Sequence, residues 1–290
     1  MFAKAYDIAS EYTEPLVVSF QYFDKSVHSG LGTLIVLNNE GWLMTVAHNF
    51  SISHTYYQHE KEIKEYLEKE EIIRADLALT EEQKDQELLL LCNQNWVINF
   101  AIFFGRIQMP ILESYVYNEH DIAFVRVDPS YFAHKTVFPK IKKSQNMKNG
   151  TSLCKLGFPF TEFTSTYDAV TNQFVLPPNL FPIARFPIEG IYTRTQLHGR
   201  SQDDTMDVLF LETSTPGLKG QSGGPTFDVD GNIYAVQSQT QTIPLGFKGM
   251  IENNGVTFEE NQFLNVGLGV PAGTIETLCQ RHNIKFGQAD

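Results

Sequence analysis

Hydrophobic and polar positions divide the chain into β-rich runs separated by turns, with one long helical interruption. After a lead-in over residues 1–13 that holds a short helix, three apolar runs, Pro15–Phe23, Leu31–Leu37 and Trp42–His48, read as strands. The turn Asn38-Asn39-Glu40-Gly41 joins the last two into a hairpin, because Asn and Gly accept the positive φ that tight hairpin turns need. Residues 55–94 change period. Ile63, Tyr66, Leu67, Ile73 and Leu77 fall on one helical face with Glu and Lys between them. Thr80-Glu81-Glu82-Gln83 has capping-box spacing. The stretch predicts a helical hairpin inserted into a β-rich chain.

Strand texture returns at Trp96–Phe104, Arg106–Tyr117 and Ile122–Val127. Residues 129–150, rich in Lys, Ser, Asn and Pro, read as a linker. The second half predicts strands at Thr151–Gly157, Ile183–Leu197, Met206–Thr213, Gly223–Asp228, Asn232–Thr240 and Gln262–Val270, with loops at 161–182 and 243–261. Pro271 opens a terminal helix over Ala272–His282, where a first-turn Pro costs no hydrogen bond. The expected division is an N-terminal β unit over 1–128 carrying the insertion, the linker 129–150, and a C-terminal β unit over 151–290.

Composition narrows the partners. With 34 Asp and Glu against 22 Lys and Arg, the net charge of −12 disfavours nucleic acid and anionic membranes. No apolar run approaches the length of a membrane-spanning helix. The three cysteines, Cys92, Cys154 and Cys279, are odd in number and have no framework spacing. The N-terminus has neither a basic start nor an apolar signal core. Together these lead us to expect a cytoplasmic protein. No cofactor motif is visible. The paired acids Asp203-Asp204 and Glu259-Glu260 lack flanking ligands at a metal-binding spacing and read as solvated turns.

The candidate chemistry sits at strand ends. In Gly220-Gln221-Ser222-Gly223-Gly224-Pro225 a serine stands between glycines ahead of a strand. Gly220 has no Cβ, so its N–H can turn towards a reacting carbonyl in a tight loop. His48 ends one predicted strand and Asp121 precedes another. A serine nucleophile needs a base within hydrogen-bond reach and a carboxylate to orient that base. Each residue alone also has a plain structural reading: a Gly-rich turn, a core histidine, a strand-capping acid.

Leu43-Met44-Thr45-Val46-Ala47-His48, Asp121-Ile122-Ala123-Phe124-Val125 and Gly220-Gln221-Ser222-Gly223-Gly224-Pro225 together resemble the three signatures of trypsin-like serine proteases, in the same order. Thr151–Phe160, the spacing from Ser222 through Asp230-Gly231 to Val236-Gln237-Ser238, and Val266-Gly267-Leu268-Gly269-Val270-Pro271 are similar to HtrA/Deg-type protease domains. The resemblance spans about residues 14–283. It implies an all-β fold of two six-stranded, chymotrypsin-like barrels, with the helical hairpin and terminal helix added. It also implies a triad of Ser222 as nucleophile, His48 as general base and then acid, and Asp121 as its orienting partner. The oxyanion donors are then the N–H groups of Gly220 and Ser222. Substrate backbone is expected along Gln237, Ser238 and Gln239, and Pro216, Gly217 and Leu218 are expected to line the primary specificity pocket.

Two departures stand out. Gln221 replaces the acid that pairs with a freed N-terminus in digestive relatives, and Pro216 stands where such relatives carry an acid selecting Lys or Arg. Activation and specificity of the trypsin type are therefore not expected, and PDZ domains are not expected within this chain. The leading expectation is a serine endopeptidase acting on protein or peptide, with a regulatory partner at the helical insertion. The alternatives are a catalytically idle, protease-like partner-binding module and a non-peptide esterase.

Overall fold

The computed structural model describes residues 1–253 and 256–290. Helix α1 (Ala3–Tyr12) leads into the first sheet, formed by β1 (Thr13–Tyr22), β2 (Val27–Val36), β3 (Trp42–Thr45), β4 (Val97–Phe104), β5 (Glu113–Tyr117) and β6 (Ile122–Arg126). Between β3 and β4 lie α2 (Ser51–Ala75) and α3 (Glu81–Leu91). After β7 (Lys140–Lys142), the second half contains β8 (Ser152–Gly157), the small pair β9 (Thr166–Asp168) and β10 (Gln173–Val175), β11 (Phe186–Arg200), β12 (Asp207–Thr213) and β13 (Pro225–Phe227). It ends with β14 (Ile233–Asn253), β15 (Val256–Pro271), α4 (Ala272–Arg281) and β16 (Gly287–Ala289).

The molecule is mostly β, and its two halves close differently. In the second half β13-β8-β11-β12-β15-β14 form a ring, completed where Pro225 pairs with Val236. Parallel β7 and β16 extend it beyond β14. The first sheet runs β4-β1-β2-β3-β6-β5 and stays open, with no pairing between β4 and β5 among the described residues. Two closed six-stranded barrels are thus not what the sheets form. The β4 edge is instead capped by the insertion: Val97 donates its N–H to His59 Nδ1 of α2 at 2.8 Å. That contact satisfies a strand-edge donor without a neighbouring strand.

Several segments carry more structure than their composition suggests. The linker supplies β7, and the loop at 161–182 contains the β9–β10 pair. The expected loop at 243–261 is largely an extension of the β14–β15 ribbon, with its register broken between Pro244 and Lys248; residues 254 and 255 lie outside the described residues. A two-stranded ribbon with no buried face shows no apolar alternation, so Pro244, Gly246 and Gly249 make it read as loop.

One apolar core joins the halves. Ala5, Ala9 and Tyr12 of α1 pack into it with Ile35, Met44 and Phe124 from the first sheet and Leu156, Phe227 and Val236 from the ring. The i, i+4, i+7 spacing places all three α1 residues on one helical face. The α4 residues Ile275, Leu278 and Cys279 join the same core. No described helix is long and apolar enough to cross a membrane.

Candidate active site

His48 lies in a short 3-10 turn, Ala47–Phe50, that runs directly into α2. Asp121 sits just before β6 with φ 50°, an uncommon conformation for a residue with a side chain. This geometry turns its carboxylate onto the His48 turn. Nδ1 of His48 lies 2.9 Å from Asp121 Oδ2 and 3.1 Å from Oδ1, and the His48 backbone N–H donates to Oδ1 at 3.0 Å. The ring is thus fixed with Nε2 turned away from the carboxylate. Ser238 adds a hydrogen bond from its hydroxyl to Asp121 Oδ2.

Ser222 is held from both halves. Its carbonyl accepts from Thr33 N–H at 2.8 Å and from Asn49 Nδ2 at 3.2 Å. The glycines around it are sterically required. A Cβ on Gly220, at φ 96°, would lie 2.5 Å from the Phe158 carbonyl oxygen, and one on Gly223, at φ 90°, would lie 2.0 Å from the Thr33 carbonyl oxygen. The Gly220 carbonyl is engaged by Thr33 Oγ1 at 2.7 Å and Phe158 N–H at 3.2 Å. Among the described residues, the N–H groups of Gly220 and Ser222 meet no protein acceptor. They are donors free to bind an incoming oxygen.

The serine hydroxyl donates to the Ser238 carbonyl at 3.2 Å, and no hydrogen bond joins it to His48 among the described residues. Structure thus pairs His48 with Asp121 and brings Ser222 to Ser238, which touches both groups: its hydroxyl meets Asp121 and its carbonyl meets Ser222. The sequence assigned Ser238 to substrate contact alone. Its link to Asp121 crosses 117 positions and has no local signal.

Gly217, Leu218, Gln237, Ser238 and Gln239 line a cavity of about 190 Å³ beside Ser222. Pro216 is not among its lining residues; its carbonyl points instead to Lys155 Nζ at 2.7 Å. Lys155, on β8, is a further group that the sequence did not single out. Its buried ammonium also bonds Thr213 Oγ1 at 3.1 Å and the Thr215 carbonyl. Burial pushes its pKa down from 10.5 to about 7. Gln221 is fully buried; its Oε1 accepts from Leu218 N–H at 3.0 Å and its Nε2 donates to the Phe186 carbonyl at 3.1 Å. A neutral amide with two local partners braces the loop where an acid would need a cation.

Among the described residues, three of the four paired acids have side-chain or backbone partners, including Asp204 with Arg200. Asp203 accepts from the Ser201 and Thr205 hydroxyls, which hold its carboxyl down at about 2, and Glu259 meets Lys248 at 2.9 Å.

A glycine-framed serine beside a His–Asp pair, between an open β-sheet and a β-ring, defines the class of trypsin-like serine hydrolases. The chain belongs to the trypsin-like peptidase domain family, whose model matches residues 32–236. Over 130 residues it is 28% identical to the probable periplasmic serine endoprotease DegP-like of Pseudomonas fluorescens, covering 45% of this chain and 21% of that protein. The solved HtrA-type protease AlgW with tripeptide aligns over 98% of this chain and 64% of that chain, at TM-score 0.50 and 14% identity. A variant of AlgW with tripeptide aligns over 99% and 65%, again at TM-score 0.50, with 15% identity. At such identities these structures establish likeness of fold, in keeping with the expected HtrA/Deg resemblance. The chain spans only about a fifth of the DegP-like relative and under two thirds of the AlgW chains.

The expected cytoplasmic location does not stand, because the DegP-like relative is described as periplasmic. Three free cysteines, two of them buried, exclude a disulfide framework but carry no information about compartment. Burial accounts for Cys154 and Cys279, since thiols pack as small apolar groups.

Proposed function

We propose that this chain is an endopeptidase that hydrolyses peptide bonds through Ser222, His48 and Asp121 by way of an acyl-enzyme. The observation that carries this reading is the double contact of His48 Nδ1 with Asp121 at 2.9 and 3.1 Å, next to a serine flanked by unengaged amide donors. Rotation of the Ser222 side chain takes its hydroxyl from the Ser238 carbonyl to His48 Nε2. Oγ then attacks the scissile carbonyl and its proton passes to Nε2. The C–N bond breaks as His48 returns that proton to the leaving amine. Water enters, gives a proton to His48 and attacks the acyl carbon; the Oγ–acyl bond breaks as His48 returns that proton to Oγ, releasing a carboxylic acid and restoring the serine. The Gly220 and Ser222 N–H groups stabilise the oxyanion; one such donor is worth about 100- to 1,000-fold in rate.

Substrate backbone adds along Gln237, Ser238 and Gln239 as an extra strand. A substrate N–H taking the Ser238 carbonyl competes with Ser222 for that acceptor, so substrate binding itself frees the nucleophile. Gly217, Leu218 and the short cavity behind them select the residue before the cleaved bond. The α2–α3 hairpin, which grows from the His48 turn, is the proposed docking element for a regulatory partner.

A fluorophosphonate probe tests the reading. It is expected to label the wild-type protein covalently at Ser222 and to leave Ser222→Ala unlabelled. A folded wild-type protein that resists labelling supports the idle binding module, for which the Ser222–Ser238 hydrogen bond is the resting state. Digestion of a peptide library separates endopeptidase from esterase, since strand addition demands several residues of extended backbone.

A further inference from the structure

A second cavity, of about 330 Å³, lies on the seam between the first sheet and the segment leading into β11. Its floor is apolar: Phe104, Met109, Phe132, Phe158 and Ile183 line it and are all buried. The lining also holds two arginines and His134. Arg106 lies over the Phe181 ring at 5.1 Å, and Arg185 lies over the Phe158 ring at 5.5 Å. Stacking on an aromatic face holds a guanidinium in place while leaving its edge able to donate.

Neither arginine has a carboxylate within 4.0 Å among the described residues. This is notable in a chain of net charge −12, where acids are plentiful. Glu14, the acid in the lining, is already paired with Lys135. Nη2 of Arg185 donates to the carbonyls of Ser10 and Thr13, both at 3.0 Å, while its Nε is buried and without an acceptor among the described residues. A buried unpaired N–H on a cation is costly and calls for an oxygen acceptor. An apolar floor beneath two unneutralised guanidiniums complements an apolar group that ends in a carboxylate, the anion whose planar oxygens fit the guanidinium fork. The volume is at the small end of ligand sites and suits one side chain or a short acyl tail.

We infer that this seam cavity binds an apolar carboxylate, held by Arg106 and Arg185 over the phenylalanine floor. The cavity is separate from the proposed active site but adjoins it through Phe158, whose N–H holds the Gly220 carbonyl. The carboxylate belongs either to a short fatty acid or to the C-terminal residue of a polypeptide. Calorimetric titration of the Ser222→Ala protein tests this independently of any peptidase activity. Octanoate represents the first source, and N-acetyl-phenylalanine, beside its amide, the second. Saturable binding of at least one acid is expected, weakened about ten-fold or more in Arg106→Gln, as expected for loss of a charge-assisted hydrogen bond. N-acetyl-phenylalanine amide is expected to bind about ten-fold or more weakly than its acid wherever the acid binds. Arg106 is exposed, so its replacement leaves the core in place. Absence of saturable binding of either acid at millimolar concentration overturns the inference. So does binding that Arg106→Gln leaves unchanged, or an amide that binds as well as its acid.

Discussion

Ser238 is the residue on which the proposed site turns. Its hydroxyl donates to Asp121 Oδ2, the oxygen that also meets His48 Nδ1, and its carbonyl holds the Ser222 hydroxyl. Ser238→Ala keeps the carbonyl and removes only the support of the carboxylate. We predict a fall in kcat/KM of about ten-fold with little change in thermal midpoint, the loss expected for one hydrogen bond to a charged group. Unchanged kinetics would show that the His48 contact alone fixes Asp121. Lys155 makes a second prediction, at the back of the loop. Its folded pKa of about 7 lies below its ordinary 10.5, so between those values the unfolded chain binds more protons than the folded one. Folding stability therefore rises with pH across that window, while below pH 7 both states are protonated and the folded state bears the full desolvation cost. The stability difference between wild type and Lys155→Met should shift towards wild type by up to about 1.4 kcal/mol per pH unit from pH 7 to 9. Urea midpoints at pH 6, 7, 8 and 9 measure this, and a constant difference would mean that Lys155 does not titrate there. His48, Asp121 and Ser222 were legible because each carries neighbours of a distinctive type. Lys155 was not: inside Leu153-Cys154-Lys155-Leu156 it reads as an outward strand position, and its partners lie about sixty residues away.

The helical hairpin is the element that the sequence described best in kind and least in placement. The capping box at Thr80 forms as the spacing predicts, with Gln83 N–H to Thr80 Oγ1 at 3.3 Å and Thr80 N–H to Gln83 Oε1 at 2.9 Å. Of the expected apolar face, Ile63, Tyr66 and Ile73 pack against Leu88, Trp96 and Phe23, but Leu67 and Leu77 stay exposed. Helical period locates a face without saying what covers it, and here the cover is aromatic: Phe23 and Trp96 each meet Tyr66 edge-on. Trp96 Nε1 also donates to Glu62 at 2.6 Å. Trp96→Ala removes this anchor and is predicted to cost about 3–5 kcal/mol in local stability. Hydrogen exchange in α2 should then accelerate well before exchange in β1 or β2. Uniform acceleration through the whole first sheet would show that the hairpin is instead part of the sheet's own cooperative unit. If the hairpin governs access to the site, replacing residues 55–94 by a short flexible linker alters kcat/KM as well. A protein of unchanged stability, kinetics and partners would end that idea.

At the scale of the molecule, the expected two-unit division meets a core that ignores it. Apolar runs and turns located the strands, but nothing in one sequence states that residues of both halves meet around α1. Tyr12 illustrates the join. It is fully buried, its ring lies in the shared core, and its hydroxyl donates to the Gly231 carbonyl at 3.0 Å, across 219 positions. Ser222 itself is positioned by Thr33 and Asn49 of the first half, so the proposed site exists only while both halves are folded. We therefore predict one cooperative unfolding transition. Nature supplies a probe for each half: Trp42 and Trp96 both lie in the first, and the buried thiols Cys154 and Cys279 in the second. In a urea titration, tryptophan fluorescence and thiol reactivity towards an aromatic disulfide should share one midpoint. Tyr12→Phe should lower both midpoints together, because it leaves the Gly231 carbonyl unpaired at a cost of about 1–3 kcal/mol. Two separated midpoints, or a Tyr12→Phe shift confined to the thiol signal, would mean that the halves fold as independent units and that the site is assembled by their docking.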